Sequence, residues 1–139
     1  MGSISIGALG SFDLNRFVRE LEDSSDNVGC VLLFVGSVRA EGADGNLVQH
    51  LHYESYVELA ERELERIVRD AVRDPNVYSV GIHHALGDIP VSGFTLIVGV
   101  AAKHREEGFR VLEEVVNRVN AEVHIWKKEV TDGGEYWIH

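Results

Sequence analysis

The chain has 139 residues, 45% hydrophobic and 26% charged, a balance that suits one globular domain, residues 1–139, with a buried core. Acidic residues outnumber basic ones 23 to 13, for a net charge of −10. That argues against bulk binding to nucleic acid or anionic membrane, both of which need a basic face, and no apolar run nears the roughly 20 residues that span a bilayer.

The N-terminal residues Met1–Ser5 have no basic start and no long apolar stretch, so no secretory signal is expected. A short strand is predicted over about Ser3 to Ala8. Asp13 then reads as a helix N-cap, followed by Leu14, Phe17, Val18 and Leu21 at helical spacing. Cys30 to Val38 is rich in Val, Leu and Phe and reads as a central strand. Cys30 is the single cysteine, which fits a reducing cytoplasm, and it is expected to act as a small buried hydrophobe. Arg39 to Asn46 is glycine-rich and reads as a mobile loop.

Val48 to Tyr56 alternates as a strand. From Ser55 or Val57 to about Arg73 runs an amphipathic helix with Leu59, Ala60, Leu64, Ile67, Val68 and Ala71 on its apolar face. Val77 to His84 and Phe94 to Ala102 read as strands on either side of a Gly87–Gly93 turn region. His104 to Val119 reads as a helix with Phe109, Leu112, Val115, Val116 and Val119 inside. Val123 to Val130 reads as a strand, Thr131 to Gly134 as a turn, and Tyr136 to Ile138 as a final strand. The order β-α-β-β-α-β-β-α-β-β is an α+β pattern.

Lysine is scarce. Only Lys103, Lys127 and Lys128 occur against ten arginines, and two of the three are adjacent in Ile125-Trp126-Lys127-Lys128-Glu129. An ammonium is a compact charge whose pKa moves readily on desolvation, so a retained lysine is a candidate for chemistry. On a strand the two side chains point to opposite faces, with Ile125 and Glu129 on the Lys127 side and Trp126 on the Lys128 side. Spacing alone does not say which one faces a ligand. Arg39, at a strand-to-loop junction, is a second candidate. Lys103-His104-Arg105 is a third, because it opens a helix where free N–H groups and the positive dipole end favour an anion. His50-Leu51-His52 and His83-His84 are the closest histidine pairs, but neither has a third metal ligand nearby in sequence.

In order, Val35-Gly36-Ser37-Val38-Arg39, Leu51-His52-Tyr53-Glu54-Ser55-Tyr56, Ala60-Glu61-Arg62-Glu63-Leu64, Ile82-His83 with Gly87, His104-Arg105-Glu106-Glu107-Gly108-Phe109, Ile125-Trp126-Lys127-Lys128-Glu129 and Gly134-Glu135-Tyr136-Trp137 resemble the MoaE family. That family is the large, catalytic subunit of molybdopterin synthase. The resemblance implies an α/β hammerhead fold with an antiparallel or mixed sheet and three main helices. It implies a homodimer that becomes a heterotetramer with a small ubiquitin-like sulfur carrier of the MoaD family. It also implies sulfur transfer from the carrier's C-terminal thiocarboxylate to cyclic pyranopterin monophosphate, forming the dithiolene of molybdopterin, with no metal or other cofactor in this subunit.

By position, the resemblance assigns Lys127, Arg39, His104 and Arg105 to catalysis. It places Ser37, Val38, Arg39, His104, Arg105, Asn120, Lys127, Lys128 and Glu129 around the substrate, with His104 and Arg105 serving the partner's site. Asn120 stands where the family has a second pocket lysine. This opens an alternative, an impaired or non-catalytic paralogue that binds the ubiquitin-like partner. Lys103 is the candidate to supply the missing ammonium.

Overall fold

A computed structural model describes residues 2–8, 10 and 12–138. The elements in chain order are β1 (Gly2–Gly7), α1 (Leu14–Glu22), β2 (Cys30–Ser37), β3 (Val48–Ser55), α2 (Val57–Ala71), β4 (Val77–Ala85), β5 (Gly87–Pro90), β6 (Phe94–Ala102), α3 (Arg105–Glu122), β7 (Ile125–Thr131) and β8 (Gly134–Ile138). They build two four-stranded sheets, ordered β1-β4-β6-β2 and β5-β3-β7-β8. β1 runs parallel to β4 and every other pair is antiparallel, so the α+β reading and its three helices hold.

The first sheet is covered on both faces. α2 and α3 bury Leu64, Ile67, Val111, Val115 and Val119 against Val80, Ile82, Val98 and Val100. α1 lies on the opposite face, started as expected by Asp13, whose carboxylate accepts from the Arg16 N–H at 3.1 Å. Phe17 and Leu21 of α1 pack there against Ile97 and Ala101. They can sit low because Gly81 and Gly99 face each other across β4 and β6. A Cβ on Gly81 would stand 2.7 Å from the Phe17 ring. The second sheet has its own core of Val38, Val48, Leu51, Tyr53, Ala85 and Ile89.

Three expectations need correction. The Gly87–Gly93 turn region contains a strand, β5, which pairs with β3 from Gly87 to Pro90. Gly87 enters it at φ +85°, a conformation open to glycine, and Ile89 is buried. Phe109 is 59% exposed rather than inside. The buried stripe of α3 is Gly108, Val111, Val115 and Val119, which leaves Phe109 one position off it. The loop from Arg39 to Asn46 is bonded rather than loose. Glu41 bridges Leu47, and the Gly42 N–H donates to Asn46 O at 2.9 Å. Cys30 is partly buried against the main core, in keeping with its expected packing role.

Candidate active site

Where the two sheets meet, beyond the C-terminal end of α3, a cavity of about 400 Å³ opens. That volume suits a small organic ligand. β2 and the residues after it contribute Phe34, Gly36, Ser37 and Arg39. β7 contributes Ile125, Lys127 and Glu129 from one face, as strand alternation requires. Asn120 comes from the last turn of α3, while His84, Thr95, Leu51 and Tyr53 come from the facing strands.

The charges around this space are uneven. Lys127 and Arg39 have no ion pair or side-chain hydrogen bond among the described residues, so both cations are available to an anion. Glu129 is only 8% exposed, and its Oε1 accepts from the Ala43 N–H at 2.7 Å. The adjacent lysine differs. Lys128 lies on the other face of the sheet, 3.4 Å from Glu135 and 5.4 Å from the Trp137 ring centroid.

The floor is neutral and polar. The His84 Nδ1 lies 2.8 Å from Ala85 O, and the ring meets Tyr53 edge-on at 5.0 Å. Burial pushes the His84 imidazole down to about 4, His83 adds to the fall, and the Ala85 bond opposes it. It is therefore uncharged at neutral pH. Burial likewise raises the Tyr53 phenol, against the lowering effect of its bond to Thr95.

A single chain thus gathers Ser37, Arg39, Asn120, Lys127 and Glu129. Val38 is buried at 3% exposure in the core behind the wall, its N–H given to Gly93 O, and Lys128 faces away. His104 and Arg105 are not in this group. They open α3, whereas Asn120 closes it, and 15 residues of helix at 1.5 Å each separate them by about 22 Å. Lys103 stands with them, so within one protomer it cannot replace the ammonium missing at Asn120. At that end Glu107 lies 3.7 Å from His104, and Glu106 lies 3.9 Å from Arg105.

Among the polar lining residues, His84, Tyr53, Thr95 and Glu41 had no site role in the sequence reading. The only available signal was a polar pair ending an apolar strand. Among the described residues no three His, Cys, Asp or Glu side chains converge in metal-binding geometry. On the outer face of the second sheet, His52 lies between Asp88 at 2.6 Å and Glu54 at 3.0 Å.

The family model described as MoaE protein matches residues 10–122. A molybdopterin synthase catalytic subunit from Pyrococcus abyssi is 41% identical over 83% of this chain and 77% of its own length. One from Taeniopygia guttata is 36% identical over 78% and 70%. Among solved structures, a MoaE protein from Burkholderia ambifaria superposes with a TM-score of 0.82 at 33% identity, covering 99% of this chain and 89% of that one. Molybdopterin synthase from Staphylococcus aureus gives 0.85 at 28% identity, covering 96% and 95%. The chain belongs to the MoaE family, and it is an enzyme of the sulfur transfer by which molybdopterin synthase serves molybdenum-cofactor biosynthesis.

Proposed function

We propose that the cavity beside Lys127 receives cyclic pyranopterin monophosphate together with the thiocarboxylated C-terminus of a small ubiquitin-like carrier of the MoaD family, in the cytoplasm. The observation that carries this reading is a pair of cations at the cavity, Arg39 and Lys127, with no ion pair among the described residues, in a protein of net charge −10. Against that overall field, an anionic substrate needs a local cationic anchor. The thiocarboxylate sulfur attacks a side-chain carbon of the substrate as a C–O bond to the cyclic phosphate breaks, leaving a phosphate monoester with one more negative charge; water then cleaves the acyl–sulfur bond, which frees the carrier's carboxylate and leaves the sulfur on the substrate. Fixed cations stabilise such charge where it develops. Lys127, in half-buried surroundings beside Ile125, is suited to move a proton at the reacting centre.

The working unit in this proposal is a homodimer, extended to a heterotetramer by two carriers. β2 is the outer strand of its sheet, and its Leu33 and Phe34 are 38% and 36% exposed. An apolar strand edge of that kind invites a partner. If two copies of β2 pair antiparallel about a two-fold axis, the Cys30 end of one meets the Ser37 end of the other. Eight residues of strand span about 26 Å, close to the length of α3 between Arg105 and Asn120. Gly29, just before β2, is bonded to Ala102 at 2.9 Å, so Lys103-His104-Arg105 sits at the Cys30 end. Pairing then brings these residues of one protomer beside Ser37 and Arg39 of the other.

The test is reconstitution of the purified chain with verified thiocarboxylated carrier and cyclic pyranopterin monophosphate. Dithiolene product is expected, and its absence with a competent carrier would sink the reading.

A further inference from the structure

The floor of the cavity holds an imidazole to which sulfur transfer gives no task. His84 is 6% exposed, and its Nδ1 lies 2.8 Å from Ala85 O. A carbonyl only accepts, so Nδ1 carries the hydrogen, and in the neutral ring Nε2 is a bare acceptor. That Nε2 has no partner among the described residues. It also differs from Nε2 of neighbouring His83, which is sealed away from solvent, whereas the His84 ring forms part of the cavity wall. Its neighbours fix its orientation. The Tyr53 ring meets the imidazole edge-on at 72°, and Thr95 lies close enough to the Tyr53 phenol to lower its pKa. Leu51, Leu96, Val119 and Val123 add apolar side chains to a wall that is otherwise largely polar.

A flat heterocycle on this floor would meet the His84 acceptor beside the side chains of Leu51, Leu96, Val119 and Val123. The cations Arg39 and Lys127 would lie on the other parts of the wall. We propose that His84 Nε2 accepts a hydrogen bond from a ring N–H of the substrate's reduced pterin, and so selects the heterocycle by its donor edge while Arg39 and Lys127 hold its anionic end. This rests on the sulfur-transfer reading above and adds a specificity-determining residue to it. A ring that turned an acceptor toward His84 would leave two lone pairs facing each other out of water. Discrimination against it follows from the unmade bond.

Two substitutions separate this role from packing. In His84→Asn the amide nitrogen sits close to the Nδ1 position and keeps the bond to Ala85 O, but nothing replaces Nε2. In His84→Gln the longer side chain carries an acceptor to about the Nε2 position. Binding of cyclic pyranopterin monophosphate and of inorganic phosphate is measured by calorimetry on the intact chain and both variants. Asn is expected to weaken pterin binding about 10- to 100-fold, with Gln within a few-fold of the parent chain. Phosphate affinity should stay unchanged in all three.

Pterin binding by the Asn variant equal to that of the parent chain would overturn the role of His84. A parallel loss of phosphate affinity would overturn it too, because the substitution would then disturb the whole cavity. Failure of the unaltered chain to bind the pterin at all would instead overturn the sulfur-transfer reading on which the inference rests.

Discussion

The Glu129 carboxylate accepts a hydrogen bond from the Ala43 N–H, 2.7 Å from its Oε1, and so fastens the loop between Arg39 and Asn46 to β7. The two residues are 86 positions apart, and Lys127 lies two residues before Glu129 on the same face. One carboxylate therefore ties the strand that carries Lys127 to the loop that begins with Arg39. Asp44 adds a second tie, its Oδ2 accepting from the Thr131 hydroxyl at 2.9 Å.

Glu129 is accordingly a positioning residue. Glu129→Ala should release the loop, and a charge-assisted bond of this kind is worth about 1.5–3 kcal/mol. Hydrogen exchange at the Ala43 amide should speed up, and KM for the pterin substrate should rise more than kcat falls. Glu129→Gln keeps an acceptor at the same reach and should restore most of the protection. If exchange at Ala43 is the same in the Ala and Gln variants, the positioning role is wrong.

The two adjacent lysines make the second prediction. Lys127 is unpaired at the cavity, whereas Lys128 is held on the far face by Glu135 and Trp137. Lys127→Ala should lower single-turnover sulfur transfer by about 100-fold or more, the scale at which a positioned proton-transfer group acts. Lys128→Ala removes a partly exposed ion pair worth about 1 kcal/mol or less and should leave turnover within a few-fold. A larger loss from Lys128→Ala than from Lys127→Ala would reverse the assignment of faces.

The alternation of a strand is a strict rule, so the grouping of Ile125, Lys127 and Glu129 on one face could be read from the sequence. The N-cap at Asp13 and the apolar stripes of α1 and α2 were readable for the same reason, because local periodicity determines them. What could not be read was distance through space. The helix expected from His104 to Val119 already put His104 and Asn120 at opposite ends, but nothing in it said which strands meet Asn120 at the cavity. β5 was hidden because four residues carry too little pattern, and its pairing with β3 depends on tertiary contact. Phe109 misled because its size suggested the core, while the small Gly108 occupies the buried position against Leu32. His84 was passed over as half of a histidine pair. Its neutrality and its open Nε2 come from Ala85, Tyr53 and burial.

The third prediction concerns pH. Hydrogen bonds that His52 donates to Asp88 first, then to Glu54, raise its imidazole above its ordinary 6.5. The bond to His52 in turn holds the Asp88 carboxyl below 3.8. His50, 3.6 Å from Asp88, and Lys128, paired to His52 across β3 and β7, also face this cluster. A raised histidine pKa contributes stability that is complete below 6.5 and fades as pH rises through the folded value. A lowered aspartate pKa contributes above 3.8 and fades as pH falls through its folded value. Both contributions are present together between about 4 and 6.5. His52→Gln should therefore lower Tm more at pH 5.5 than at pH 9. An equal drop at the two values would show that the ring acts only by packing.

The fourth prediction tests whether the site is shared between copies. Lys127→Ala and Arg105→Ala should each inactivate their own homodimer, if Arg105 of one protomer serves the cavity of the other. In a mixed dimer the two lesions come from different chains. The Arg105→Ala protomer keeps Lys127, and its partner supplies an intact Arg105, so that one cavity is whole; the opposite cavity lacks both groups. Unfolding and refolding an equal mixture should give half mixed dimers with one live site in two, a recovery of about one quarter of the parent activity. Were Arg105 to act within its own chain, each cavity of the mixed dimer would lack one group and no activity would return. Inorganic phosphate binding, followed in the same mixture, gives a second reading. One anion site should return per mixed dimer, and a mixture that recovers turnover without recovering that site would show that Arg105 does not bind the anion.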